Sequence, residues 1–340
     1  MQFLEQPALV VTSISSPNDC LRALAQGSEQ HGMRFICIGD KKSPDDFQLQ
    51  GCEFINYEQQ LELELSYSQI CPANHYARKN VGYLVAMQGQ PQFIRETDDD
   101  NAPRESFFAS PQKSVTGRVA QQTGWLNVYA AFEQETCWPR GFPLDHILSS
   151  RDDKSLFTSD GVSKNCLVQQ CLADGDPDVD AIYRLTHNQD VIFSVKDPVI
   201  LGHNQFCPFN SQNTTWFPEA YYLLYLPATV TMRMTDIWRG FIAQICLYAM
   251  HQSWSYHAPT VDQIRNQHDL VDDLRLEIPG YLDNKKIMDC LSRLPLSENA
   301  DDIATNLRAC YTALIDEGVI DKAEMELLDA WISDCQNLLK

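Results

Sequence analysis

The sequence predicts an α/β protein built on a mixed, mainly parallel sheet flanked by helices, and three observations predict it. Residues 8–13 (ALVVTS) form a short apolar run ending in hydroxyls, followed by a helix-start signal and a second apolar run, RFICI, from Arg34. A helical pattern over 72–88 leads directly into a third apolar run at 92–96. Short connections join each helix to the strand that follows it. Strands and helices alternating in this way pack as parallel strands with the helices laid on the sheet.

Each element follows from its residues. The run at 8–13 has the composition of a strand buried on both faces. Ser16 as N-cap, Pro17 at the first helical position and Asp19 in the first turn predict a helix reaching about Gln30, ended by His31 and Gly32. The second strand, from Arg34, is closed by Gly39 and Asp40. Tyr76, Tyr83, Leu84 and Met87 lie near helical spacing within 72–88. The strand at 92–96 runs straight into Thr97, Asp98, Asp99, Asp100 and Asn101. From about Pro103 to Pro227 the chain is richer in Asn, Asp, Pro and aromatics, and residues 125–132 and 180–185 predict strands. Residues 199–215 predict an active-site loop or insertion, and 236–251 a helix with a broad apolar face. Beyond Ala258, Leu and acidic residues dominate, and helices are predicted near 261–276, 286–294, 300–316 and 322–339. The division is therefore 1–257 and 258–340, the second part a helical C-terminal extension. Its acidic faces read as solvated surface or as a docking surface for a partner.

Composition narrows the function. Of 340 residues, 26 are Lys or Arg and 46 are Asp or Glu, a formal charge of −20. With 44% hydrophobic residues the chain has ample material for a core, which excludes a disordered protein. The negative charge excludes general affinity for nucleic acid or anionic membrane, and leaves room for a small basic pocket. No run reaches the ~18 apolar residues of a spanning helix, so no transmembrane segment is predicted. Residues 7–11 are apolar but follow Glu5 rather than a basic stretch, so they do not read as an export signal. The expectation is a cytoplasmic protein. The 12 cysteines are scattered without a C-x-x-C pair and read as reduced, buried thiols. Cys166 and Cys171 have no matching pair for zinc. Asn213, Thr214 and Thr215 spell a glycosylation sequon, meaningless without export.

The main chemical signal is the Asp98–Asp99–Asp100 triplet directly after a strand. Ligands of parallel α/β sheets bind outside the carboxyl ends of the strands. Mg²⁺ or Mn²⁺ takes one or two carboxylates there, with phosphate oxygens completing its shell. On an extended segment i and i+2 point the same way, so Asp98 and Asp100 can meet one ion while Asp99 faces elsewhere. The bland alternative is a solvated acidic turn. Thr12 and Ser13, ending the first strand, suit an anionic or ribose-bearing ligand. Asp40, ending the second, suits a ribose hydroxyl or a base edge. Arg78 and Lys79 can neutralise a diphosphate, or are surface cations of an amphipathic helix. Asp174–Asp180 fails as a calcium loop, because Val179 stands where Gly is required and Leu185 where Glu is required. It reads as a turn carrying carboxylates such as Asp176 towards the cleft, or as a capped loop. Asp236 opens a helix and is either a dipole contact or a general base. Trp238 is a sugar platform or core. His251 and His257 are candidate ligands or structural histidines.

Several segments resemble one family. VVTSISSPN, IGDKKSP from Ile38, CPANHYARKNVGYLVAMQGQPQFIRETDDDN from Cys71, and GFPLD from Gly141 are similar to the STELLO glycosyltransferases. So are CLADGDPDVDAIYRLT from Cys171 and the long PFNSQNTTWFPEAYYLLYLPATVTMRMTDIWRG segment from Pro208. The match runs over roughly the first 250 residues, leaving the helical tail outside. A more distant resemblance is to the reversibly glycosylated polypeptides, the UDP-arabinopyranose mutases. The resemblance implies a GT-A fold with a DXD-type motif, a UDP-sugar donor, and Mn²⁺ or Mg²⁺. It implies metal and diphosphate contacts at Asp98 and Asp100, with Asp99 beside them, and Arg78 and Lys79 facing the diphosphate. It places Thr12 and Asp40 near the uridine, and Asp236 on the acceptor side as a base, with Asp176 a further catalytic candidate. Plant members are Golgi membrane proteins connected with cellulose synthesis, and neither property is carried over.

The leading expectation is a metal-dependent glycosyltransferase acting on a glycan or protein acceptor. The alternatives are a sugar-nucleotide mutase or autoglycosylating protein, and a non-catalytic scaffold for polysaccharide synthesis that docks a partner through its C-terminal helices.

Overall fold

The apolar run that opens the chain is the centre of the sheet. In the structure, a computed structural model describing residues 5–187, 189–264 and 269–339, β1 (Ala8–Thr12) lies between β2 (Arg34–Ile38) and β4 (Ile94–Thr97). Outside β2 lies the short β3 (Glu53–Ile55), and all four strands are parallel. Leu9, Val10 and Val11 are wholly buried, as expected for a strand covered on both faces.

Helix α1 (Asp19–Gln30) starts two residues later than Ser16 would set it, because Asn18 provides the cap and accepts from the Leu21 amide at 2.8 Å. Two short helices, α2 (Tyr57–Leu61) and α3 (Ser66–Ile70), lead to a single 3₁₀ turn at Tyr76–Arg78 and then to α4 (Lys79–Met87). The helix expected from residue 72 is thus cut short. His75 caps the turn instead, its Nδ1 accepting from the Ala77 amide at 3.0 Å. Gly82 lets α4 lie directly on the sheet: a Cβ there would come within 2.7 Å of Val10 Cγ1 and 2.8 Å of Ile38 Cγ1. That close approach sets Lys79, the first residue of α4, at the carboxyl end of β4.

The second half departs from the expectation of a mainly parallel sheet. Its strands are β5 (Asn101–Pro103), β6 (Ser114–Ala120), β8 (Phe157–Gly175), β9 (Val199–Leu201), β11 (Asn213–Trp216) and β12 (Ser253–Gln263). The short β7 (Gly124–Trp125) and β10 (Gln205–Phe206) pair apart from it. The sheet order is β3-β2-β1-β4-β11-β8-β6-β9-β12-β5, with β8 also paired to β12. Strand β11 runs antiparallel to both β4 and β8, and β12 is parallel to β8 but antiparallel to β5 and β9. Parallel neighbours need a long crossover, usually a helix. After β4 the chain has few helices long enough, and the sheet becomes evenly mixed.

Two sequence expectations fail here for local reasons. Residues 125–132 were expected as a strand, but Asn127 caps the helix α5 (Val128–Ala131). Residues 180–185 were expected likewise, but Asp180 accepts from the Tyr183 amide at 2.7 Å and starts α6 (Ala181–Thr186). In both places a capping side chain outweighs β-type composition. The long β8 carries too many Ser, Asp, Asn and Gln residues to read as a strand at all. Asn213 is buried, with its amide donating to Leu172 O at 3.1 Å, so the sequon is not at the surface.

Beyond α7 (Thr235–Ala249) the tail consists of α8 (Leu270–Leu291), α9 (Ile303–Asp316) and α10 (Glu324–Leu338). The helix expected over 261–276 begins only at Leu270: residues 265–268 lie outside the described residues, and 261–263 belong to β12. The sheet therefore continues past residue 257. A single helix containing Pro279 replaces the first two expected. Leu328, Trp331, Tyr311 and Leu314 are wholly buried and join the main core. The acidic faces are not all solvated. Asp334 accepts from the Ser66 and Tyr67 amides at 3.0 and 2.8 Å, capping α3. Glu324, also buried, accepts from the Ala228 and Thr229 amides at 3.0 and 2.7 Å. All twelve cysteines are unbonded and most are buried. No helix among the described residues is long and apolar enough to cross a membrane.

Candidate functional site

A cavity of about 450 Å³ opens at the carboxyl ends of β1, β2 and β4. Thr12 and Ser13 line it after β1, Gly39 and Asp40 after β2, and Asp98, Asp99 and Asp100 after β4. The opposite wall comes from segments remote in sequence, with Arg140, Asp178, Arg184, Arg233 and Asp236. This is the crevice that parallel strands leave at their carboxyl ends.

The three aspartates have different partners. Asp98 Oδ1 accepts from Tyr76 Oη at 2.8 Å and from Lys79 Nζ at 3.3 Å. Asp99 Oδ2 accepts from Ser13 Oγ at 2.5 Å, so it turns towards β1. Asp100 Oδ2 accepts from Gln263 Nε2 at 3.2 Å, whereas its Oδ1 is buried and receives no hydrogen bond. Burial raises the proton affinity of all three carboxyls. For Asp100 burial, with the charge of Asp98 next, pushes the pKa up to about 7.

This donor set suits a hard divalent cation that completes its shell with ligand oxygens. Asp100 offers a buried acceptor with no donor, and Asp98 stands beside it. Among the described residues no three His, Cys, Asp or Glu side chains form a ready-made metal cage. That is the usual situation for Mg²⁺, which binds through one or two carboxylates plus phosphates. Neither candidate histidine lines the cavity. His257 Nε2 lies 2.8 Å from Ser255 Oγ, and burial brings its pKa down to about 4. His251 pairs with Glu298 at 3.3 Å on the surface.

The expected diphosphate cations are occupied elsewhere. Arg78 borders the cavity, but its guanidinium donates to Gln60 Oε1 at 2.6 and 2.8 Å and to the Ser68 and Cys71 carbonyls. It ties together the loop beneath the site. Lys79 is wholly buried and donates to Thr97 O and Tyr76 Oη, both at 2.9 Å, besides Asp98. It serves as an internal counter-ion for the triplet. Asp40 accepts from the amides of Lys41 at 2.7 Å and His75 at 3.1 Å.

On the far wall Asp236 is gripped by Arg140 at 3.0 and 2.9 Å and touched by the Ser211 amide and hydroxyl, each at 3.2 Å. Burial raises its proton affinity, but the Arg140 charge outweighs it and the pKa falls to about 2. A carboxylate so held is a poor proton acceptor, and its geometry suits positioning Arg140 better than the base role expected of it. Arg140 also binds Asp178 at 2.7 and 2.8 Å. Asp176 does not line the cavity; it pairs with Arg184 at 3.0 Å. Trp238 is buried, with Nε1 donating to Asn284 Oδ1 at 2.8 Å, and is core rather than a sugar platform.

Sequence reasoning missed Tyr76, Arg140, Asp178, Arg184, Arg233 and Gln263. A signal existed for two of them. Asp178 is two residues from the chosen Asp176, and Arg140 immediately precedes the GFPLD segment. Tyr76 Oη also lies 2.6 Å from Ser211 Oγ. Asp98, Tyr76, Ser211, Asp236, Arg140 and Asp178 therefore form one continuous line of close polar contacts from wall to wall.

The chain is similar to known proteins along most of its length. The family model described as STELLO glycosyltransferases matches residues 233–339. STELLO2 of Arabidopsis thaliana, described as a probable glycosyltransferase, is 27% identical over 76% of this chain and 36% of its own length. STELLO1 of the same plant, likewise described, is 24% identical over 98% of this chain and 44% of its own. The chain thus spans less than half the length of these relatives. A crystal structure described as that of a mycobacterial protein aligns with a TM-score of 0.42 at 10% identity, over 82% of this chain and 74% of that one, too distant to bear on the fold. The expectation that the resemblance stops near residue 250 is overturned, because the family model covers the helical tail. The resemblance read from the sequence holds along the chain, which is similar to the STELLO glycosyltransferases.

Proposed function

We propose that the cavity binds a nucleoside-diphosphate sugar, most simply a UDP-sugar, and that the protein transfers the sugar to a glycan or protein acceptor in the manner of a GT-A enzyme. The observation that carries this reading is the unpartnered, buried Oδ1 of Asp100 beside Asp98, at the carboxyl end of a parallel strand. A buried carboxylate oxygen without a donor is costly unless a cation or ligand satisfies it.

Asp98 and Asp100 would hold Mn²⁺ or Mg²⁺, which when bound neutralises charge developing on the departing diphosphate. Thr12, Ser13 and Asp40 would orient the nucleoside. Tyr76 and Lys79 keep Asp98 in place, and the Arg140–Asp178–Asp236 cluster shapes the opposite wall.

The test is thermal-shift and calorimetric titration with UDP, GDP, CDP and ADP, with and without Mn²⁺. A ligand that binds the folded state raises its stability. The expected result is a metal-dependent rise with UDP. No response to any nucleotide, with Asp100→Asn behaving like the natural protein, rejects the reading. Once a donor is found, mass spectrometry separates transfer from the mutase and autoglycosylation alternatives, which give a ring isomer of the donor or a heavier protein.

A further inference from the structure

We infer that Arg233, held in place by Glu277 of the C-terminal helix α8, is the cleft cation that receives the ligand's phosphate groups. The inference rests on the donor class proposed above, and replaces Arg78 and Lys79 in that role.

The cations lining the cavity differ in whether they still have a hydrogen bond to offer. Arg78 donates to Gln60 and two carbonyls. Arg140 is enclosed by Asp178, Asp236 and the Arg233 carbonyl, which together take its Nε, Nη1 and Nη2. Arg184 donates to the Val179 and Pro177 carbonyls at 3.0 and 2.7 Å and pairs with Asp176. Arg233 differs. Its Nε and Nη2 both donate to Glu277 Oε1, at 2.9 and 2.6 Å, its Nε also lies 3.9 Å from Asp273 Oδ1, and its Nη1 donates to nothing among the described residues. One edge of the guanidinium is anchored and the remaining amino group is left in a side chain that lines the cavity.

The anchor is itself fixed. Glu277 is wholly buried, and its Oε2 accepts from the Ala181 amide at 2.8 Å and from Tyr281 Oη at 2.6 Å. It therefore binds the start of α6, the approach to α7 and its own helix at one point. A planar guanidinium oriented by a buried carboxylate loses little freedom on meeting a phosphate. Lys42, the other cation lining the cavity, is exposed on a flexible stem and supplies long-range attraction instead.

The probe is inorganic diphosphate with Mn²⁺, titrated calorimetrically, with uridine as the phosphate-free control. Arg233→Gln is expected to weaken diphosphate binding at least about tenfold and uridine binding less than about twofold. Arg233→Lys, which keeps the charge and loses the fork, should fall between. Glu277→Gln should weaken diphosphate about three- to tenfold with uridine unchanged, which a merely structural role would not do. Normal diphosphate binding by Arg233→Gln overturns the inference alone, and so does an equal loss for uridine and diphosphate. A full loss in Lys42→Gln with none in Arg233→Gln also overturns it, moving the contact to the cleft mouth. Failure of the natural protein to bind diphosphate with Mn²⁺ overturns both the inference and the donor class beneath it.

Discussion

Arg140 holds Asp236 through both terminal nitrogens, at 3.0 and 2.9 Å, and so keeps that buried carboxylate ionised. The pair joins two segments 96 residues apart. The grip makes this aspartate, at the start of α7, a poor proton acceptor.

Arg140→Ala leaves Asp178 and Asp236 buried without their common cation. Removing one partner of a buried ion pair costs about 3–5 kcal/mol. Urea denaturation at pH 7 should show a loss of that order, and Asp236→Asn a smaller one. Because the Asp236 pKa is depressed to about 2, its stabilisation is complete above the usual carboxylate range and is lost as the pH falls towards 2. An acid-unfolding midpoint unaffected by Asp236→Asn would contradict this.

Asp100 has the opposite sign. Its pKa is raised to about 7, so the folded protein retains a proton there that the unfolded chain releases. Stability of the metal-free protein should decline as the pH rises from about 4 to about 7. Asp100→Asn should stabilise the metal-free protein at pH 7.5, by on the order of 1 kcal/mol after solvent screening.

Cation affinity follows from the same group. Protons compete with Mn²⁺ for Asp100 below its pKa, so affinity should rise with pH up to about 7 and then level off. Calorimetric titration between pH 5.5 and 8 would reveal this. A flat profile places the cation elsewhere.

Gly82→Ala tests the link between packing and site. The added methyl would sit 2.7 Å from Val10 Cγ1 and 2.8 Å from Ile38 Cγ1, both in strands of the sheet. Overpacking of this kind costs about 1–3 kcal/mol. Since α4 carries Lys79, the variant should also weaken the Mn²⁺ response. Unchanged melting temperature and unchanged Mn²⁺ affinity would show that α4 has room to spare.

Much of the first hundred residues was legible, because there each element is decided locally. The buried run of β1, the RFICI strand and the acidic triplet after β4 all stand where their residues place them. What failed depends on contacts between distant segments. Asp178 gains its role only when Arg140 arrives from another stretch, and Arg78 loses its expected role to Gln60 and two carbonyls. In α5 and α6 a single capping Asn or Asp reversed a strand-like composition. The acidic tail read as solvent-facing because nothing local announces that Glu277, Glu324 and Asp334 point inward.

The cap that Asp334 places on α3 bridges 268 residues of chain. During synthesis the early strands emerge long before the carboxylate that completes α3 exists. Glu324 and the buried Trp331 arrive equally late. The nascent chain must therefore wait, with its first helices incompletely satisfied, until α10 has been made. Contacts of such long sequence separation slow folding and prolong the exposure of apolar surface. Full protection against proteolysis in stalled nascent chains should consequently appear only once α10 has cleared the exit tunnel.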